Sequence, residues 1–306
     1  MFRWRLLSST ILIVAVLGAV CLHGWPGAVV FAVLMAWFAW VAAGEFLNLA
    51  RACGASGFPR LTQAFAVFLT LAVGILPAIF APECGQHERR DILAQGFTSL
   101  VLVSFLVFGF RQVFRRGPGS RAILGLFISL AGLIYICWTL SFIPRLYFST
   151  GLDHQGRWLA LFLVVVTKAG DIGAYATGML TSRVLKGGNH KIETVISPKK
   201  SWEGFCGGVL FCVAAALIFV LAAPDRHLHF RNLELLTWKT ALMWGFFCAV
   251  LGYWGDVAES ALKRAAAAKN SGSLPGLGGV LDVLDSLTLV APFFYAWLQI
   301  VTAFSV

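Results

Sequence analysis

Apolar residues in this chain run in long unbroken blocks separated by short polar segments. The blocks lie near residues 6–22, 27–48, 61–81, 92–110, 122–143, 158–180, 204–222, 240–258 and 285–304. Each is about 20 residues, the length a helix needs to cross the hydrocarbon core of a bilayer. A spanning segment must satisfy its own backbone N–H and C=O groups, so such blocks predict helices. The pattern therefore predicts an all-α polytopic transmembrane helix bundle of about nine spans, with short cytoplasmic helical or loop elements. Arg3 and Arg5 precede the first block as in a signal peptide. Ala19-Val20-Cys21 is a poor cleavage site and a second block follows at once, so the first reads as a retained helix.

Polar positions divide the chain unevenly. Residues 1–157 hold five predicted spans with little intramembrane polarity and read as an N-terminal scaffold. Glu45, near the end of the second span, reads as an interfacial acid or a partner of Arg51. Residues 158–306 hold four spans, two cytoplasmic loops rich in Gly, Ser and Lys, and nine of the 14 acids. This second part reads as the working half.

Composition agrees with the membrane reading. The chain of 306 residues is 59% hydrophobic and 12% charged, about half the charge of a soluble domain. The net charge of +10 invites a nucleic-acid reading, but its distribution argues against one. With nine spans and a cytoplasmic N-terminus, sixteen of the 24 Lys and Arg residues fall on the cytoplasmic side, seven fall on the other, and Lys168 lies inside a span. That asymmetry follows the positive-inside rule, and the bases face anionic headgroups. The seven cysteines are scattered without a CxxC pair, so neither a disulfide framework nor a zinc site is expected. No P-loop, HExxH or nucleophile elbow occurs.

Three constellations carry candidate chemistry. In span six, Lys168, Asp171 and Tyr175 share one helix face. They read either as an ion pair that packs helices together or as part of a site. In the loop Ile196–Gly204, Lys199 and Lys200 offer cations suited to phosphate oxygens. Ser197 and Ser201 add hydroxyls, and Ser201 is placed to cap the next helix. An ordinary basic loop with a good cap explains the same residues. The third stretch, Gly255–Ser286, puts Asp256, Glu259, Ser260, Lys263 and Arg264 on one helical face. A glycine-rich loop follows, and then Asp282 and Asp285. Charges beside membrane-length apolar runs are costly and suggest function. Several carboxylates together suit Mg²⁺, which is commonly shared with substrate phosphates.

The C-terminal half resembles the phosphatidate cytidylyltransferases (CDP-diacylglycerol synthases). Ser260, Lys263, Arg264, Lys269, Pro275, Gly276, Gly278, Gly279, Asp282, Asp285 and Ser286 fall in the places of that family's C-terminal signature. Ser197–Gly204 matches its earlier Ser-Pro-Lys-Lys element, and Asp171–Tyr175 matches a third motif. Asn270, Leu277 and Val283 stand where the family has Asp, His and Arg. The resemblance implies a nucleotidyltransferase that makes CDP-diacylglycerol and pyrophosphate from CTP and phosphatidate, with Mg²⁺ as cofactor and a second cation left open. It implies Asp256, Asp282, Lys263 and Asp171 as catalytic residues, and Asp256, Asp282, Asp285 and Asp171 as metal ligands. Ser197, Lys199, Lys200, Ser201, Ser260, Arg264, Lys269, Gly276, Gly278 and Gly279 would bind substrate.

Expected partners are CTP, phosphatidate and membrane lipid, with a homodimer left open and no nucleic acid. The N-terminus and the active site are expected on the cytoplasmic face of a bacterial-type membrane. The alternatives are a CTP-dependent lipid-alcohol kinase, a transporter and a non-catalytic membrane protein. A transporter would show repeated halves, and the halves here are unlike.

Overall fold

A computed structural model describes residues 2–22, 24–81, 87–117, 119–149, 155–185, 187–192, 196–222, 229–230, 233–234, 237–272 and 278–304. Pro275, Gly276 and Leu277 lie outside them. The fold class is the expected one, all-α and polytopic. Eleven helices are described: α1 (Phe2–Cys21), α2 (Trp25–Ala52), α3 (Pro59–Phe80), α4 (His87–Arg116), α5 (Ser120–Gly132), α6 (Phe142–Tyr147), α7 (Gln155–Val184), α8 (Trp202–Ala222), α9 (Trp238–Ala265), α10 (Val280–Leu284) and α11 (Leu287–Ala303). A π-helical stretch, Leu133–Trp138, joins α5 towards α6, and His229–Phe230 pairs antiparallel with Leu233–Glu234.

Eight helical runs among the described residues are long and apolar enough to cross a membrane. They comprise α2, α3, α4, Ser120–Tyr147, α7, α8, α9 and Val280–Ala303, with boundaries close to these helices. In α1 the apolar stretch Thr10–Cys21 is shorter. The protein is a multi-pass membrane protein.

The chain forms two compact units. One comprises Met1–Arg157 and Leu262–Leu284, the other Trp158–Ala261 and Asp285–Val306. In the first, proline begins α2 and α3 within their first two positions, where its missing N–H costs nothing. Gly54, at φ +84°, takes up the left-handed turn that ends α2, a conformation that favours glycine. Helices α2 and α3 pack together, α4 packs on α3, and α10 packs on α2. Phe31 stacks on Tyr147 at 3.8 Å between ring centroids, and the Tyr147 hydroxyl donates to the Ala19 carbonyl at 2.6 Å.

In the second unit, small residues let α7 and α8 touch backbone to backbone. A Cβ on Gly208 would lie 3.2 Å from the Gly170 carbonyl oxygen, and one on Gly204 would lie 3.0 Å from that of Ala174. Close approach of this kind is how helices associate without a hydrophobic driving force. Farther along, Trp244 meets Phe294 at 4.6 Å and Trp297 at 5.2 Å, closing an aromatic core between α9 and α11.

Candidate active site

In the second unit, α7 carries Lys168 and Asp171 one turn apart, and the segment leading into α11 carries Asp285 and Ser286. The Lys168 ammonium donates to Asp171 Oδ2 at 2.8 Å and to the Ser286 hydroxyl at 2.7 Å. It also lies 3.8 Å from Asp285 Oδ1. Ser286 in turn donates to Asp171 Oδ2 at 3.1 Å. A cation held between two acids and a hydroxyl meets the requirement that a buried charge be paired and hydrogen-bonded.

Asp256 and Glu259 come from α9, one turn apart. Oxygen atoms of Asp256, Glu259 and Asp285 all lie within 4.8 Å of one another. Glu259 is fully buried. Gly255 permits this meeting: a Cβ there would collide with the Asp285 carbonyl oxygen and come within 3.1 Å of the Ser286 Cα. Lys200 pairs with Asp256 Oδ2 at 3.0 Å and donates to the Tyr253 carbonyl at 3.2 Å. Its ammonium also sits 4.2 Å from the Tyr253 ring centroid, where the ring's negative face attracts it. Ser260 donates to Asp256 Oδ1 at 3.3 Å. An all-oxygen donor set of this kind suits a hard divalent cation, and the flanking ammonium groups suit phosphate oxygens.

The loop before α8 is tied at several points. Ser201 caps the helix, its hydroxyl oxygen accepting from the Gly204 N–H at 3.2 Å and from Asn189 Nδ2 at 3.3 Å. Asn189 also donates to the Gly178 carbonyl at 2.7 Å. The Glu203 carboxylate receives the His190 N–H at 3.1 Å and lies 2.6 Å from His190 Nδ1. Ser197 accepts the Lys200 N–H through its carbonyl at 3.1 Å. Lys199 is exposed and Ser197 half-buried.

The first unit holds a cluster of its own. Lys263 pairs with Asp282 Oδ1 at 2.5 Å. Asp282 Oδ2 accepts from the Gly279 N–H at 2.7 Å and from the Ser271 N–H at 2.9 Å. Both oxygens of this predicted metal ligand are thus engaged by the chain itself. Gly278, at φ +92°, makes the turn that brings Gly279 over the carboxylate. Arg264 is exposed and donates to the Ala268 carbonyl at 3.2 Å, and Lys269 is exposed. Gly276 lies outside the described residues.

Glu45 departs from its expected place. It is buried, with 7% of its surface exposed. Its oxygens accept from the Val280 N–H at 3.0 Å, the Leu281 N–H at 2.8 Å and the Ser271 hydroxyl at 3.0 Å, while Arg51 is exposed. The first N–H groups of a helix lack partners within it, and a buried carboxylate lacks water. The two deficits cancel here.

Two groups of residues therefore come together, one in each unit. Asp171, Asp256, Ser260, Asp285 and Lys200 belong to the second unit, and Lys263, Asp282, Gly278 and Gly279 to the first. The sequence reading left Glu259 out of the ligand set, although its spacing from Asp256 was visible. Lys168 reads from the sequence as a candidate without an assigned role and Ser271 carries none, while nothing local marks Glu45 as reaching a loop more than 220 residues away.

Over 195 residues the chain is 35% identical to the phosphatidate cytidylyltransferase of Chlamydia muridarum (strain MoPn / Nigg), covering 64% of this chain and 60% of that protein. It is 39% identical to that of Bacillus subtilis (strain 168) over 145 residues, 47% of this chain and 48% of the relative. The Thermotoga maritima protein of the same name is 36% identical over 164 residues, 53% and 55% of the two chains. The chain thus spans less than two thirds of each of these relatives. A model of the cytidylyltransferase family matches residues 3–301, nearly the whole chain, so the chain belongs to the cytidylyltransferase family.

Proposed function

We infer that this protein transfers the cytidylyl group of CTP to phosphatidate, making CDP-diacylglycerol and pyrophosphate for phospholipid synthesis. The observation that carries this reading is the meeting of Asp256, Glu259 and Asp285 within 4.8 Å beside Lys200 and Lys168. The names of the similar proteins support it. A phosphatidate phosphate oxygen attacks the α-phosphorus of CTP. A new P–O bond forms there, and the bond to the bridging oxygen of the departing pyrophosphate breaks. The nucleophile is already an anion, so the site needs positioning and charge stabilisation more than a strong base.

The donor set fits Mg²⁺, which when bound would neutralise phosphate charge and act as a Lewis acid. Asp256, Glu259 and Asp285 would hold it, with a second cation open to the same titration. Asp171 and Ser286 hold Lys168, and Lys168 sets the orientation of Asp285. Lys199 and Lys200 offer charge to phosphate oxygens, and Ser197 and Ser260 offer hydroxyls. Ser201 shapes the loop that presents them. In the first unit, Lys263, Arg264 and Lys269 would offer positive charge to substrate phosphate. Asp282 orients Lys263, and Gly276, Gly278 and Gly279 would let a substrate phosphate approach the segment closely. Residues 1–157 serve as scaffold and residues 158–306 carry the chemistry. The N-terminus and these loops face the cytoplasm of a bacterial-type membrane, so that CTP arrives from water and phosphatidate from the bilayer.

The test is purified protein in detergent with CTP and phosphatidate, read as pyrophosphate release across an Mg²⁺ titration. Release that requires both substrates and the cation is expected. CDP release with a lipid alcohol, and none of pyrophosphate with phosphatidate, would replace this reading with a lipid-alcohol kinase. Size measurement of the same sample tests the homodimer.

A further inference from the structure

We propose that Glu45 is a positioning residue for the proposed reaction: from within α2 it fixes both flanks of the glycine-rich segment and so sets the Asp282–Lys263 pair. This rests on the reaction assigned above for its effect on turnover, but not for its geometry. Glu45 accepts the first two N–H groups of α10, from Val280 and Leu281. It also accepts from the Ser271 hydroxyl on the other flank of the segment. Ser271 links the two acids, since its hydroxyl lies 3.0 Å from Glu45 Oε2 and 2.9 Å from Asp282 Oδ2. A hydroxyl has one proton to give, so these carboxylates share it. The Ser271 oxygen also accepts the Asp282 N–H at 3.3 Å.

The glycines confirm how closely the backbone is drawn to the acid. A Cβ on Gly272 would collide with Glu45 Oε1, and one on Gly279 would lie 2.5 Å from Glu45 Oε2 and 2.6 Å from the Gly272 nitrogen. Both flanks therefore run over the carboxylate at distances only glycine permits. The same Gly279 N–H that this arrangement places is a ligand of Asp282 Oδ2. A change at Glu45 is thus transmitted to Asp282 by two routes, the Ser271 hydroxyl and the Gly279–Leu281 backbone. Lys263 follows, because Asp282 Oδ1 holds its ammonium.

Glu45→Gln keeps the volume but leaves one of the two α10 N–H groups facing an amide donor. Turnover per folded molecule should fall at least about tenfold, with KM for both substrates within about threefold of wild type. Amide hydrogen exchange should accelerate at Ser271, Gly272 and Gly279–Asp282 while α3 and α4 exchange as before. A purely structural role would instead raise exchange throughout the first unit and leave turnover per folded molecule unchanged, and that result overturns the proposal. If Glu45→Gln does not fold, Ser271→Ala cuts only the hydroxyl bridge and should show the same local exchange pattern with a smaller loss of turnover. Wild-type exchange in Ser271→Ala would likewise overturn it. Should the wild-type protein fail to turn over CTP and phosphatidate, the reaction assignment falls. The exchange pattern then decides the positioning role by itself, its presence supporting the role and its absence ending it.

Discussion

A carboxylate on a membrane helix has to find donors or a counter-charge, and the acids of this chain solve that problem in two ways. Asp282 and Glu45 are saturated by the chain's own N–H groups, hydroxyl and ammonium. Asp256, Glu259 and Asp285, although Lys200 and Ser260 also hold Asp256, bring oxygens within 4.8 Å of one another, an arrangement that invites a cation. The two kinds should respond differently to substitution. Asp256→Asn and Asp285→Asn should each raise the Mg²⁺ concentration needed for pyrophosphate release at least about tenfold, as expected when a ligand set is weakened. Asp282→Asn should leave that requirement in place but destabilise the protein by on the order of 3 kcal/mol, because it takes a negative partner from the buried Lys263 ammonium. A Mg²⁺ titration alongside thermal unfolding of the three variants separates the two roles. If Asp282→Asn shifts the titration and Asp256→Asn does not, the assignment of ligands is reversed.

The elements were the most legible part of the sequence, and the contacts between them the least. Apolar blocks of membrane length announce their own helices because no other backbone structure is tolerated in hydrocarbon. The last predicted span began at residue 285, whereas a short helix, Val280–Leu284, precedes α11 and is set off from it by Asp285 and Ser286. No apolar periodicity marks that break. The acids of α9 were readable from their spacing, but their meeting with Asp285 depends on Gly255, a glycine like many others along the chain. Gly255→Ala should therefore be disproportionately harmful. Its Cβ meets the backbone of Asp285 and not a flexible side-chain end, so we expect overpacking of about 1–3 kcal/mol together with near-complete loss of pyrophosphate release. Gly96→Ala, in open space on α4, is the matched control and should leave both unchanged. Equal effects of the two would show that Gly255 is not a point of close approach.

For the whole molecule, membrane orientation follows from charge asymmetry, which is a property of loops and not of packing. Single cysteines placed at Arg115 and Lys191 in a variant without exposed native cysteines should react with a membrane-impermeant thiol reagent only from the cytoplasmic side. A cysteine at Arg89 should react only from the opposite side. Reaction of Arg115→Cys and Arg89→Cys from the same side would overturn the nine-span orientation.

The cluster around Asp285 also has an electrical consequence. In the second unit, oxygens of Asp256, Glu259 and Asp285 gather within 4.8 Å of one another, with Lys200 against Asp256 and Lys168 near Asp285. Like charges gathered this closely repel one another, and the burial of Glu259 and Asp285 limits the screening there. A cation that occupies the cluster therefore relieves self-repulsion in the folded state alone. Its binding free energy then adds to folding stability by mass action, by about 2.7 kcal/mol at a hundredfold excess over Kd. The melting temperature should climb with Mg²⁺ in the absence of any nucleotide or lipid, and the climb should vanish in Asp256→Asn. Seen this way, the protein's heat tolerance reports the cation supply of the cell that makes it.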